Sequence, residues 1–438
     1  MPKENLIKVQ ACWDNIFVPA DTATERSLLI EVCAESCNDR RTTHEPVNFA
    51  MVIDRSGSMR RWRLEAVKSA AMGIIKALNG LDRLSLVSFD DVVTRHFANV
   101  PMYHDGIRQA RQEVECLAAG NMTNLGAGWF EGAKCAAETM EQEQFRDGHV
   151  LVLSDGKANQ GITRPSALAK HARELSDRGI RSSAVGIGAD YSPLQLDAIA
   201  ESGQGRLHDA ETADDITDIV LGELGEIRNL AAHETRLHLQ FPREINIELL
   251  TRAPVQQVRE ELQISLGTLL ANRSRPIALL AELPGFPVGT RLPFEITLSW
   301  HDPESDEQLW SAPVNSTLRV VPPAEAAAAQ RDQEVVGRVA DLWEATLAYQ
   351  AMRYNEIGDF ERAIRLYQGV FDQFRAMVSE LKDADFRIKR LAQASRAVEQ
   401  PWVGRSKREA LVMSKKMMLN EADLRRRDSD EWHDHLRG

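Results

Sequence analysis

From Val47 to about Asn229, short apolar runs alternate with stretches of helical period, and that alternation predicts a parallel sheet wrapped by helices. VNFAMVID (47–54) is almost continuously apolar, as a buried strand should be. Behind it, RWRLEAVKSAAMGIIKALNG sets Leu64, Val67, Ala71, Ile74, Ile75 and Leu78 on one helical stripe and stops at Asn79-Gly80. RLSLVSF (83–89), HVLVLSD (149–155), IRSSAVGIG (180–188) and the short GRLHD (205–209) read as further strands. Helices are predicted near 105–118, from the end of a polar Gly-rich loop at 120–128 to about 143, near 166–178, over PLQLDAIAES (193–202), and from about 213 to 229. Strands alternating with five or six helices in this way make a doubly wound α/β domain, here 46–230.

The flanking pattern differs. Residues 235–321 hold short alternating runs (TRLHLQF, INIELL, ELQISLG, RPIALLAEL, FEITLSW, STLRVV) broken by Pro, Gly and Asn, which predicts an antiparallel β-sandwich. LIKVQACW and SLLIEVCAE near the start have the same character, and two strands alone are barely stable in water. Residues 1–45 are therefore expected to join the sheets of 235–321, with the α/β domain inserted between them. After Pro322-Pro323 the chain turns helical, 324–438, with two amphipathic helices around Gly358-Asp359. Tyr354, Ala363 and Tyr367 stand much as in a tetratricopeptide unit, but such arrays need about three repeats, so a helical hairpin packed on its neighbours is the expectation. Basic pairs near 415–427 and His433 and His435 are interspersed with acids and read as a solvated helix or tail.

The chain has 438 residues, long enough for roughly two to four domains, and its composition is that of a globular protein. A net charge of −12 opposes nucleic-acid binding, which needs a basic surface to displace phosphate counterions. No stretch approaches the ~20 apolar residues that cross a bilayer, and the first residues lack the apolar core of a signal peptide, so no membrane partner and a cytoplasmic setting are expected. Five cysteines (Cys12, Cys33, Cys37, Cys116, Cys135) without CxxC spacing support neither a disulfide framework nor a zinc site, and read as reduced thiols in packed positions.

At the carboxyl end of the first buried strand stands Asp54-Arg55-Ser56-Gly57-Ser58. Parallel strands present their C-terminal ends together, so the loops Asn121-Met122-Thr123-Asn124 and Ser154-Asp155-Gly156 must lie on the same edge. Asp54, Ser56, Ser58, Thr123 and Asp155 then converge. Carboxylates and hydroxyls without His or Cys form a hard-oxygen shell suited to Mg²⁺ or Mn²⁺ rather than zinc. Two carboxylates offset the charge of a dication, and the hydroxyls add ligands without adding charge. Asp90-Asp91 also follow a strand and could reach the surroundings of the site, although a turn acid is the commoner reading; Arg55 and Trp129 read as flanks of the ligand surface or as an exposed side chain and a packed aromatic, and Asn159 and Gln160 as shaping the loop after Asp155.

VIDRSGSM, NMTNLGAGW and LVLSDGKANQGIT together resemble the metal-ion-dependent adhesion site of the von Willebrand factor type A domain: Asp-x-Ser-x-Ser, a distant Thr and a distant Asp. The resemblance covers about residues 45–230. It implies Mg²⁺, with Mn²⁺ or Ca²⁺ as alternatives, held by Ser56, Ser58 and Thr123 directly and by Asp54 and Asp155 directly or through water, with a position left for a partner's Glu or Asp. The flanking layout resembles bacterial intracellular type A proteins, commonly linked with AAA+ ATPases or Ser/Thr kinase and phosphatase modules as adaptors or scaffolds. The expectation is a non-enzymatic adaptor that captures an acidic residue of a partner protein. The alternative is a metal-dependent phosphatase or hydrolase, opposed by Ser56 standing where aspartyl-phosphate enzymes carry a second acid and by the absence of GxxxxGK[ST] and HExxH motifs. A channel-associated membrane subunit is a third class, opposed by the lack of a spanning run.

Overall fold

Three strands open the described chain: β1 (Ile7–Trp13), β2 (Phe17–Pro19) and β3 (Thr24–Ala34). The computed structural model describes residues 7–35, 46–188, 191–227, 230–258, 260–271, 273–303, 305, 307–402 and 410, so Cys37 and the basic and histidine-bearing stretch near 415–435 lie outside the described residues. Two compact units divide the protein, one of Asp39–Asn229 and one of Met1–Asn38 with Leu230–Gly438.

The first of these units runs β4 (Asn48–Asp54), α1 (Trp62–Ala77), β5 (Arg83–Phe89), β6 (Val93–Pro101), α2 (His104–Glu115), α3 (Leu125–Glu143), β7 (Gly148–Ser154), α4 (Pro165–Ser176), β8 (Ile180–Ile187), α5 (Pro193–Ser202), β9 (Gln204–Ala210) and α6 (Ala213–Ile227). Its six-stranded sheet has the order β6-β5-β4-β7-β8-β9. β4 is buried at every position because both faces are covered, which is why its sequence does not alternate. Phe49, Met51 and Ile53 pack with α1, α2 and α6 on one face, while Ala50 and Val52 pack with α3, α4 and α5 on the other. The expected doubly wound, mostly parallel domain inserted between strands of a β-sandwich, with helices closing the chain, is the fold observed.

β6 was not legible from apolar pattern. It is the antiparallel edge strand beside β5, and most of its side chains are half-buried. Arg95 ties it to α3, with Nε donating to Glu131 and Nη1 to Glu138, both at 2.6 Å. An edge held by ion pairs leaves little hydrophobic trace.

In the second unit, β10 (Leu230–Gln240), β11 (Asn246–Leu249), β12 (Val255–Val258), β13 (Glu261–Leu270), β14 (Arg273–Leu283), β15 (Arg291–His301), β16 (Gln308–Trp310) and β17 (Val314–Val321) join β1–β3 in two sheets. One has the order β1-β3-β14-β11; the other has β12-β13-β10-β15-β17-β2, with β16 on β15. The consecutive apolar residues Leu28, Leu29 and Ile30 in β3 and Ile277 to Ala281 in β14 have a physical cause. Leu28, Ile30, Val32, Ile277, Leu279 and Ala281 face the core between the sheets, whereas Leu29, Ala278 and Leu280 face helices. Those helices are α8 (Gln333–Glu356), α9 (Phe360–Val378) and α10 (Ala384–Ala397), the last beyond the expected hairpin, while the short α7 (Pro323–Ala328) precedes them beside β2. Gly358, at φ +75°, makes the turn between α8 and α9. No described helix is long and apolar enough to cross a membrane.

The reading of every cysteine as packed is corrected: Cys12 and Cys116 are exposed, Cys33 is half-buried and Cys135 is buried, all four as free thiols. Cys12 sits on an edge strand whose period of two turns it to the open face.

Asp14, buried immediately after β1, links the sandwich to its helices. Its carboxylate accepts hydrogen bonds from the Asn15 and Ser27 amides, at 2.9 and 3.0 Å, and from Arg331 Nε at 2.8 Å. Burial pushes this acid above the usual carboxylate range even though Arg331 pulls the other way. Removing the guanidinium leaves the buried Asp14 without its paired cation, with only the field of Arg26 and two backbone amides to support it, so Arg331→Met should cost about 3 kcal/mol. Chemical denaturation followed by tryptophan fluorescence checks this; a loss below about 1 kcal/mol would refute it.

Candidate functional site

Strand order places the site. Asp54 ends β4, Ser154 ends β7, and these parallel strands are hydrogen-bonded neighbours, so Asp155 follows at the same edge. The chain leaves β4 toward β5 on one side and later returns to β7 on the other, which opens a crevice at the carboxyl ends of the strands.

Three loops are stitched together there by backbone hydrogen bonds. The Gly57 amide donates to the Asn121 carbonyl at 2.9 Å, and the Gly120 amide donates to the Arg55 carbonyl at 2.5 Å. Thr123 and Asn159 bond reciprocally: the Thr123 amide donates to Asn159 Oδ1 and the Asn159 amide to the Thr123 carbonyl, each at 3.2 Å. Asn159 therefore shapes the loop, as expected. Asp90 also works here, accepting from the Val92 amide at 2.9 Å and pairing with Arg55 Nη2 at 2.9 Å. It lies against Gly120, where a Cβ would collide with its carboxylate.

The five predicted side chains come together within this frame. Asp54 Oδ1 accepts from the Ser56 amide at 2.8 Å and Oδ2 from the Ser154 hydroxyl at 2.5 Å. The Ser56 and Ser58 hydroxyls lie 3.1 Å apart, and Ser58 donates to Asp155 Oδ1 at 2.7 Å. A Cβ built on Gly156 would stand 3.3 Å from Thr123 Oγ1 and 3.7 Å from Asp54 Oδ2, so those oxygens flank one point. Asp54, Asp155, Ser56 and Thr123 are buried, whereas Ser58 is exposed.

Burial raises the Asp54 acid to about 6, opposed by bonds from Ser154 and Ser56 and reinforced by the charge of Asp155. Asp155 is likewise raised by burial, against the pull of Ser58 and Arg63. Two water-excluded carboxylates that each resist ionisation, ringed by hydroxyls, fit a hard divalent cation whose charge would reverse that resistance. Among the described residues no three His, Cys, Asp or Glu side chains stand together as a metal set, so a cation here would draw on the hydroxyls.

Two partners of the carboxylates escaped sequence reasoning. Ser154 holds Asp54, and its only signal was its place before Asp155. Arg63, in the first turn of α1, pairs with Asp155 Oδ2 through Nη1, which also donates to the Ser58 carbonyl at 3.2 Å. Trp129 does not flank the ligand surface: it is fully buried, and its Nε1 donates to Ser182 Oγ at 3.0 Å.

Residues 48–221 match the von Willebrand factor type A domain, and the chain therefore carries a domain of that family. A Synechocystis protein, sll0103, is 28% identical over 323 residues, covering 70% of this chain and 73% of its own length. Human inter-alpha-trypsin inhibitor heavy chain H3 is 31% identical over 132 residues, 29% of this chain but 15% of that protein. Among solved structures, a von Willebrand factor type A protein from Catenulispora acidiphila superimposes with a TM-score of 0.64 at 15% identity, covering 93% of this chain and 96% of that one. The ArnB paralog VWA2 from Sulfolobus acidocaldarius gives 0.54 at 16% identity, covering 94% and 98%. At such identities the structures speak for the fold.

The raised Asp54 acid has a thermodynamic signature. Unfolded, it titrates near 3.8; folded, at about 6. Between those values the native chain keeps a proton that the unfolded chain has released, so its contribution to stability is complete below about pH 4 and disappears as pH rises through 6. The difference amounts to about 3 kcal/mol. In EDTA, Asp54→Asn should lack this decline, and its stability should gain on the wild type by about that amount between pH 4 and 7. Denaturant titrations at both pH values decide it; parallel pH profiles for the two proteins would contradict the assignment.

Proposed function

We propose that Asp54, Ser56, Ser58, Thr123 and Asp155 hold a divalent cation, Mg²⁺ first, and that the protein is a non-enzymatic adaptor capturing an acidic residue of a partner protein. The observation that carries this reading is the convergence of two buried carboxylates and three hydroxyls from three loops at one sheet edge. When bound, the cation supplies a Lewis-acid contact for an incoming carboxylate. The chain's own residues do the rest: Asp54 and Asp155 supply charge, the hydroxyls complete a hard-oxygen shell, and the stitched loops hold that shell in place.

Domains of this family commonly serve protein–protein interaction, which supports a binding role. Both Asp54 oxygens are engaged and the carboxylate is buried, a poor disposition for an attacking nucleophile, and this favours binding over hydrolysis. In this reading residues 46–230 recognise the partner, while the strands of 1–45 and 235–321 and the helices of 324–438 connect that recognition to a larger assembly. An AAA+ ATPase or a Ser/Thr kinase or phosphatase module offering a Glu or Asp is the partner class proposed.

Titration calorimetry of the full chain should show one Mg²⁺ or Mn²⁺ site, weakened more than about 100-fold by Asp54→Ala with the circular dichroism unchanged. Unaltered cation binding in that variant would discard the reading. Release of phosphate from a model ester, lost in the same variant, would replace it with the hydrolase.

A further inference from the structure

Arg63 is built into the site. Its guanidinium pairs with Asp155 Oδ2, bonds the Ser58 carbonyl, and lies over the end of β8, where a Cβ on Gly188 would stand 3.0 Å from Nη2 and 3.3 Å from Cζ. Gly188, at φ +75°, leaves the space that the guanidinium fills. Asp155 Oδ1 stays turned to Ser58, so the arginine takes one oxygen and leaves the other among the hydroxyls.

The consequence is one of charge. Asp54 and Asp155 alone would balance a dication completely, and an arriving carboxylate would then bring an excess negative charge into a buried place. With Arg63 paired to Asp155, the same set carries one net negative charge, a dication leaves it one positive, and a single external carboxylate restores neutrality. Asp90 does not upset this balance, because Arg55 pairs with it. Uncompensated charge in a water-excluded setting is costly, so the neutral arrangement is the favoured one.

We infer that Arg63 is a coupling residue: it weakens cation binding by the empty-handed protein and makes cation and acidic partner bind cooperatively. This rests on the proposed cation site and adds the reason for its dependence on a partner. Each ligand raises affinity for the other by the same factor, as linkage requires.

The test uses the full chain, Mn²⁺ followed by the electron paramagnetic resonance of the free ion, and acetate as the carboxylate. Arg63→Gln should bind Mn²⁺ alone roughly tenfold more tightly than wild type, from loss of a like charge beside the site. Arg63→Lys, which keeps the charge, should stay close to wild type. Acetate should tighten Mn²⁺ binding by the wild type and have little effect on Arg63→Gln. Equal or weaker binding by Arg63→Gln, or equal tightening by acetate in both proteins, overturns the inference. Should Arg63→Gln fail to fold, the wild type decides: no tightening by acetate refutes the coupling. Mn²⁺ binding that Asp54→Ala abolishes but Arg63→Gln leaves unchanged removes only this inference. Binding insensitive to Asp54→Ala removes the cation site as well.

Discussion

Two carboxylates at the ends of adjacent parallel strands, Asp54 and Asp155, are buried where water cannot screen them, and the organisation of the site answers that constraint. Burial makes each a weaker acid than an ordinary carboxylic acid, and the charge of Asp155 further disfavours ionisation of Asp54. Hydrogen bonds from Ser56, Ser58 and Ser154 and the guanidinium of Arg63 offset part of the cost. A buried carboxylate pair of this kind, costlier than apolar packing, is what marks this edge as the candidate functional site.

The fold serves the site by making its frame rigid. β4 is covered on both faces, so the strand that delivers Asp54 is seated in two hydrophobic cores. The loops that carry Ser58, Thr123 and Asp155 start or end on elements of the same unit and are bonded to one another through their backbones. In the other unit, helices cover the outer face of one sheet and give the sandwich a third layer.

Much of this was legible in the chain. Unbroken apolar runs marked the central strands because those strands are buried on both faces, and the helical stripe of α1 marked the face it presents to them. Asp54, Ser56, Ser58 and Asp155 could be gathered in advance because parallel strands align their ends, a rule of topology that needs no coordinates, whereas Thr123, in the loop between α2 and α3, was placed with them by the resemblance of NMTNLGAGW to the family's motif. Elements stabilised by something other than apolar burial escaped: β6 is held by Arg95 and its glutamates, and β2 and β16 span three residues each, too few for a period to show. Trp129 was ambiguous because an aromatic beside a polar loop reads alike whether it faces solvent or core.

The amino-acid order determined the alternation of strand and helix, the insertion between sandwich strands and the identity of the oxygen donors, since periodicity and loop position are properties of local sequence. Which side chains neutralise those donors was decided by the tertiary structure. Arg63 and Asp155 stand 92 positions apart. Nothing along the chain announces their pairing, because a charge finds its counterion through space, after the strands have registered and the helix has been laid against them.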